Sequence, residues 1–282
     1  MLTAVEATIQ AIVFVVQVTP VGTNLGLAHL MWAMVSGSFL GSRGAIFPAL
    51  QAGGLRPAEI RRSWSAMRNG SWRIDELLEA WRVYVASENE WREHRYEGLR
   101  VVSVDLTGFW RPRLKGWLGK HYHSLMGKAL PAVVFGVIII SGQAQGKRMP
   151  LLCKIIRCRP DQSERDYQAE VLRQAALLDQ PGDVKVLDAG FKINELAEAG
   201  LQGFVLRMQS NCTARRNHLP VYKGRGARPK YGEKVRPTAR KHKENLIPAT
   251  TPDHRAEFKH EGRTIKACLL YTSDAADDEY NV

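Results

Sequence analysis

Cysteine is scarce in this chain. The four present, Cys153, Cys158, Cys212 and Cys268, form no CxxC pair and have no histidine at zinc-ligand spacing, which excludes a disulfide framework and leaves no zinc-site signature. A reduced, cytoplasmic chain fits that usage. Long apolar runs are missing as well: residues 11–18 and 133–140 are the strongest candidates, and both fall well short of the roughly 20 residues that cross a bilayer. Glu6, with no basic residue before it, argues against a signal peptide. The first run therefore reads as a buried helix or strand, and no membrane partner is expected. No internal repeat is present.

Acidic residues are the other shortage, with 28 Asp+Glu against 40 Lys+Arg and a net charge of +12. Such a balance attracts polyanions, and nucleic acid is the leading partner; an anionic membrane surface is the competing one. The otherwise ordinary composition, 45% hydrophobic and 24% charged, excludes a disordered or fibrous protein.

Residues 25–97 carry a helical period. Leu27, Leu30, Met31 and Met34 recur at helical spacing, as do Ile60, Trp64 and Met67, and then Ile74, Leu77, Leu78, Trp81 and Val85. Asn69-Gly70 reads as a turn and Ser71 as the cap of the helix after it. The expectation for residues 1–98 is a small helical, DNA-binding domain with a helix-turn-helix-like hairpin. Arg56, Arg61, Arg62, Arg68 and Arg73 surround that hairpin and would suit phosphate contacts; a solvated face is the plainer reading of any one of them.

From Arg100 the texture turns to strands. Residues 101–109, 131–140 and 149–157 are β-rich, the second and third joined through a turn at residues 141–146. A helix capped by Ser163 follows, with Tyr167, Val171, Ala175 and Leu178 on one face, and Pro181-Gly182 ends it. Residues 184–187 read as a buried strand, 192–199 as a short helix and 203–208 as another strand. This order over residues 99–210 matches a ribonuclease-H-like α/β fold with a mixed sheet. Residues 215–243 are rich in Gly, Pro, Lys and Arg, with Glu233 their only acid, and read as irregular. Residues 256–265 could begin a strand pair around Glu261-Gly262. Residues 211–267 are accordingly read as an incomplete, basic, β-rich insertion.

Residues 268–282 stand apart. Cys268-Leu-Leu-Tyr-Thr-Ser-Asp-Ala-Ala-Asp277 resembles a translated adapter of transposon-based sequencing libraries, so the natural sequence is expected to stop near Ala267. Without Asp274, Asp277, Asp278 and Glu279 the net charge rises from +12 to +16.

Two aspartates carry the candidate chemistry. Asp105 lies within the first apolar strand, where burying an ionised carboxylate is costly unless it is paired or metal-bound. Asp188 closes the fourth, just ahead of Gly190. In the expected fold these strands are neighbours, so two carboxylates 83 residues apart (188 − 105) would converge at one end of the sheet. Facing oxygen ligands suit Mg²⁺ or Mn²⁺. Two such ions activate a water or 3′-hydroxyl and stabilise the leaving oxygen in phosphodiester cleavage and strand transfer.

Several blocks sharpen this expectation. Asp105-Leu-Thr-Gly-Phe-Trp-Arg-Pro-Arg113, Gly127-Lys-Ala-Leu-Pro-Ala-Val-Val-Phe-Gly136, Asp188-Ala-Gly-Phe191, Asn211-Cys-Thr-Ala-Arg-Arg-Asn217 and Tyr231-Gly-Glu-Lys-Val-Arg-Pro237 resemble a family of insertion-sequence transposases in the broad DDE group. The likeness runs from about His29 to Ala267 and includes Gly41-Ser-Arg-Gly-Ala-Ile-Phe-Pro48 and Tyr222-Lys-Gly-Arg-Gly226. It implies that Asp105 and Asp188 are the first two members of a D, D, E triad that holds two divalent metals. It implies a mostly β insertion after the strand at Phe204, and a glutamate on a helix beyond it. Glu233, Glu244, Glu257 and Glu261 fall in loop or strand texture and none is assigned that role, so this chain is expected to be inactive by itself. The partners implied are double-stranded element-end and target DNA, met by a homodimer in a bacterial, nucleoid-associated setting.

Arg111, Arg113, Lys115, Lys120 and Lys128 follow the first aspartate and could hold the DNA backbone. Arg207, Arg215, Arg216, Arg225 and Arg228, with Tyr222, offer cations beside an aromatic for a distorted DNA end. His121 and His123 flank Tyr122 and read as surface or DNA contacts before metal ligands. Two other readings compete. A non-catalytic remnant would bind DNA without cutting it. An actin-like sugar kinase or ATPase would need Gly-rich phosphate loops, whereas Asp105-Leu-Thr-Gly108 runs straight into Phe109-Trp110.

Overall fold

The computed structural model describes residues 4–270 except 21, 23, 43, 89, 112, 210, 217 and 261. Most of the adapter-like tail, and Arg43, Pro112, Asn217 and Glu261 of the motifs above, lie outside the described residues. The fold is α/β with a mixed sheet. Six helices come first: α1 (Ala4–Val18), α2 (Asn24–Val35), α3 (Ser38–Gly41), α4 (Ile46–Ala52), α5 (Pro57–Asn69) and α6 (Ile74–Ser87). Eight strands follow: β1 (Trp91–Glu93), β2 (Arg95–Tyr96), β3 (Leu99–Trp110), β4 (Lys120–His123), β5 (Lys128–Ile140), β6 (Gly142–Ala144), β7 (Lys147–Arg148) and β8 (Leu151–Arg157). Then come α7 (Glu164–Leu177), β9 (Asp183–Leu187), α8 (Ile193–Glu198) and β10 (Phe204–Leu206).

The chain divides into two compact units, one of residues 1–95 and 137–157, the other of residues 96–136 and 158–282. Residues 137–157 thus join the N-terminal helices in one compact unit. In the first unit β1 pairs with β6, and β6 with β7, which gathers residues 142–148 beside the helices. Trp91 fastens this small sheet by donating its indole N–H to the Met149 carbonyl at 2.8 Å.

Within the first unit α5 begins where the sequence provides for it. Pro57 takes the first turn, and Glu59 accepts the Arg56 backbone N–H at 2.8 Å and its guanidinium at 2.7 Å. These bonds pull the Glu59 carboxyl down to about 2. Ile60, Ser63 and Ala66 form the buried face of α5, and Ala33, Leu50 and Ile60 form a core with Phe39, Ile46 and Leu55 against it.

Four expectations are corrected here. Helix α6 starts at Ile74 with Arg73 at its N-cap and no side-chain cap; Asp75 and Glu76 in the first turn oppose the helix dipole in place of Ser71. Helices α5 and α6 are not a hairpin packed chiefly on itself: α5 lies against α2 and α4, while α6 lies against β8 and α1, with Asp75 bound to Lys154 of β8 at 2.9 Å. Helix α1 is only partly buried, with Val15 inside, Phe14 stacked on Tyr84 at 4.5 Å, and Val5, Ile9 and Val13 exposed. Helix also ends earlier than residue 97, giving way after Ser87 to β1 and β2.

The main sheet has the order β10-β9-β3-β5-β4, with β8 also on β5 and β2 on β3. Strands β3, β9 and β10 run parallel, and β4 is antiparallel to β5. Parallel neighbours need crossover connections, and α7 and α8 supply those into β9 and β10. Ser163 caps α7 as its sequence predicts, its Oγ accepting the Asp166 N–H at 3.2 Å. Tyr167, Val171, Leu172 and Ala175 are buried along α7. Gly136 in β5 is a forced choice, because a Cβ there would collide with the buried Val171 methyls.

Beyond β10 the basic segment is less irregular than its composition implies. Antiparallel pairs form between β11 (Ala214–Arg215) and β12 (Lys234–Val235), and between β13 (Arg240–His242) and β14 (Asn245–Ile247). A third pair, β15 (His254–His260) with β16 (Arg263–Leu269), turns at Gly262, whose φ is 75°.

Candidate active site

The site begins with the register of two strands. In the parallel pair β3 and β9, Arg100 lies opposite Asp183, Val101 opposite Val184, Val102 opposite Lys185, Ser103 opposite Val186 and Val104 opposite Leu187. Every pair is offset by the same 83 residues. Asp105 follows Val104 and Asp188 follows Leu187, so the two candidate carboxylates stand level, just past the C-terminal end of β9 and midway along β3. Ligand sites of open α/β sheets lie outside the C-terminal ends of their parallel strands.

Both aspartates are exposed. This corrects the premise that Asp105 is buried and must be neutralised: the side chains of one β3 face, Asp105, Thr107 and Phe109, all meet solvent, because strand residues alternate between faces. Each carboxylate turns one oxygen onto the following backbone. Asp105 Oδ1 accepts the Leu106 N–H at 2.7 Å and Asp188 Oδ1 accepts the Ala189 N–H. Neither Oδ2 has a hydrogen-bond partner among the described residues, so each carboxylate keeps an oxygen open to an external ligand.

Arg207 joins this end of the sheet. Its backbone N–H donates to the Leu187 carbonyl at 3.0 Å, one residue before Asp188, and its side chain is exposed. His121 borders the site from β4. It is half-buried, and a Cβ on Gly108 would lie 2.6 Å from its side chain, so Gly108 clears its place. Burial pulls the His121 pKa below the usual imidazole range, while the carboxylates of Asp105 and Glu164 oppose that shift. The sequence offered no signal for the Asp105–His121 coupling, since the two lie on different strands. Trp110 packs on His123 with ring centres 4.6 Å apart and donates its indole N–H to the His121 carbonyl at 3.1 Å.

The remaining cations divide by environment. Arg61 and Arg62 are exposed on α5 in the helical unit. Arg111, Arg113, Lys115, Lys120 and Lys128 are exposed along the segments after Asp105, with the Arg111 guanidinium 4.7 Å from the centre of the exposed Phe109 ring. Arg225 and Arg228 are exposed, Arg228 lying 5.8 Å from the Tyr222 ring. Arg215 and Arg216 are engaged internally: Arg215 donates to the Gly232 carbonyl at 3.2 Å and lies over Tyr231, and Arg216 is ion-paired with Asp253.

A buried charge cluster at the opposite end of β3 and β9 has no local signature in the sequence. Asp183, with a side chain 1% exposed, accepts a bidentate bond from Arg100, Nε at 2.7 Å and Nη2 at 2.9 Å, and a further bond from the Gln180 N–H at 3.1 Å. Lys185, also 1% exposed, ion-pairs with Asp179 and lies 3.7 Å from Asp183. Burial, and secondarily the Arg100 charge, pushes the Lys185 ammonium down to about 8.

No group of three or more His, Cys, Asp or Glu side chains able to hold a metal occurs among the described residues. The acidic site is thus a pair. No helix among the described residues is long and apolar enough to cross a membrane. In comparisons with protein-family models and with curated proteins the chain finds no match.

Proposed function

We propose that this chain is a transposase of the broad DDE group, binding element-end DNA and, in its catalytically competent form, cleaving and joining phosphodiesters at Asp105 and Asp188. The observation that carries the reading is the level placement of these two aspartates on adjacent parallel strands. The strand order supports a ribonuclease-H-like sheet: β10, β9, β3, β5 and β8 lie in the spatial order of a meander extended by two crossover strands. Fold likeness alone does not name a chemistry; the exposed carboxylate pair and the +12 charge narrow it to phosphoryl transfer on a polyanion.

The donor set fits a hard divalent cation. Two carboxylates, each with an oxygen free of partners among the described residues, suit Mg²⁺ or Mn²⁺. Bound there, two such ions would supply the charge neutralisation that in-line displacement at phosphorus needs. Arg207, Arg111, Arg113, Lys115 and Lys128 would hold the phosphate backbone around them, and Arg225 and Arg228 would meet DNA further along. Double-stranded element-end and target DNA are the proposed partners, bound by a homodimer in the bacterial nucleoid. A second reading, DNA binding without cleavage, is favoured by one observation: no third carboxylate joins the pair among the described residues.

The test is incubation of the purified chain with supercoiled and linear DNA, with and without Mn²⁺. Metal-dependent nicking that disappears in Asp105→Ala supports the catalytic reading. Tight, salt-sensitive binding with no nicking, by this chain and by a form extended to carry the expected third carboxylate, supports the second, and absence of DNA binding removes both.

A further inference from the structure

We infer that Arg100, Asp183, Lys185 and Asp179 form a positioning device that locks β3 and β9 in the one register setting Asp105 and Asp188 level; the inference rests on reading that pair as the metal-holding site.

Arg100, Asp183 and Lys185 lie on the same two strands as the aspartates and on the opposite face, and Asp179 joins them from the segment between α7 and β9. Strand alternation places Asp183, Lys185 and Leu187, all buried, on one side of β9, and Val184, Val186 and Asp188 on the other. Apart from these charges and Ser103, the paired stretches are Val101, Val102 and Val104 against Val184, Val186 and Leu187. The buried face excludes a one-residue slip, which would flip every side chain to the other face, and leaves open a two-residue slip, which returns the same kind of side chain to each face.

The charges remove that ambiguity. A one-residue slip would carry Asp183 and Lys185 to the face of the aspartates and strip them of their partners. A two-residue slip in one direction sets Arg100 against Lys185, two cations out of water. In the other it draws Asp183 about 7 Å from Arg100. Either leaves a buried charge uncompensated, the costly outcome for an interior ion pair. The bidentate fork of Arg100 on Asp183 tolerates little sliding. Five residues further along each strand, the same offset of 83 brings Asp105 beside Asp188. Arg100 and its partners are thus positioning residues, acting on the site through the backbone register alone.

The experiment uses the full chain as unaltered, Arg100→Lys and Arg100→Leu forms, each checked for folding by circular dichroism, in a Cys268→Ser background that removes the exposed thiol. Two readouts are taken. Register is read by oxidative cross-linking of Ser103→Cys with Val186→Cys, which are register partners, against Ser103→Cys with Asp188→Cys, which would meet only after a two-residue slip. Adjacent strands lie within disulfide reach. Metal affinity is read separately by electron paramagnetic resonance of added Mn²⁺.

In the unaltered background only the first cysteine pair should cross-link. In Arg100→Leu that preference should largely disappear and Mn²⁺ binding should weaken by roughly 10- to 100-fold, with Arg100→Lys restoring part of both. Undiminished cross-linking preference in a folded Arg100→Leu chain overturns the inference. Where Arg100→Leu does not fold, Arg100→Lys decides: it keeps the charge and loses the fork, so unchanged register preference and Mn²⁺ affinity overturn the inference equally. Equal Mn²⁺ binding by the unaltered chain and Asp105→Asn would count against the metal reading alone, and the cross-linking result would still decide the register.

Discussion

Val104 and Leu187 face each other across the parallel strands β3 and β9, and each is followed in the chain by an aspartate. Both apolar residues are nearly inaccessible, at 1% and 2% exposure, so they anchor the sheet just where Asp105 and Asp188 turn to solvent. The site is a step out of the core.

Because Asp105 is exposed and makes one hydrogen bond to its own strand, Asp105→Ala should change stability by no more than about 0.5 kcal/mol. In a form extended to carry the expected third carboxylate, metal-dependent nicking should fall to the level of buffer alone, with DNA affinity retained. Urea unfolding and a nicking assay on the same preparation check the two halves together.

Asp183 behaves in the opposite way. Its carboxylate is buried, and Arg100→Leu strips it of both bidentate bonds. The expected loss is about 3–5 kcal/mol, typical of breaking one side of an interior ion pair. A shift of the urea midpoint comparable to that of a surface variant would refute it.

The pH dependence follows from Lys185. Its folded pKa is pushed down to about 8 from the ordinary 10.5, by burial first and the Arg100 charge second. Between those values the unfolded chain holds a proton that the folded chain has released, so stability should rise with pH across about 8 to 10.5. Comparing unfolding midpoints of the unaltered chain and Lys185→Met at pH 7.5 and pH 10 isolates this contribution, which should be missing from the variant.

Gly136→Ala tests the packing of α7 on β5. The added methyl would collide with Val171, which is 0% exposed, and overpacking of this kind costs about 1–3 kcal/mol. A lower Tm is expected, with DNA binding unchanged at a temperature where the variant remains folded.

Arg216 and Arg225, both basic and close in sequence, should separate on DNA. Arg225→Ala should weaken binding and reduce the salt slope by roughly 0.9 for each phosphate that the side chain no longer neutralises. Arg216→Ala should act on stability first, because its partner is Asp253. Titrations at two salt concentrations, alongside thermal unfolding, tell them apart.

Much of the sheet was legible because its signals are local. The apolar runs of β3, β5 and β8, the buried Val184–Leu187 stretch and the Ser163 cap each report their own conformation within a few residues. Partnership was less legible. The periodicity of α5 and α6 shows that each has a face to bury, and nothing in it says that α5 turns to α2 while α6 turns to β8. The three-residue strands β1 and β6 have too little pattern to declare themselves before they pair. Asp105 and Asp188 stood out as carboxylates among apolar residues. Lys185 and Asp183 lie in the same apolar stretch as Asp188, yet nothing local marks them as a cluster, and only the pairing of Asp183 with Arg100 gives them a role.

The constant offset between β3 and β9 has a consequence for how this chain can change over time. Hydrogen bonds and one buried ion pair hold the two strands level, and the count of residues between them does not. Loops between them in the chain that hold none of these groups, such as the turn at residues 145–146, can lengthen or shorten through insertions and deletions while the aspartates keep station. A single residue gained or lost inside either strand, between Arg100 and Asp105 or between Asp183 and Asp188, would separate them. Indels should therefore accumulate freely in those loops across diverging copies of this gene and be purged from two six-residue windows.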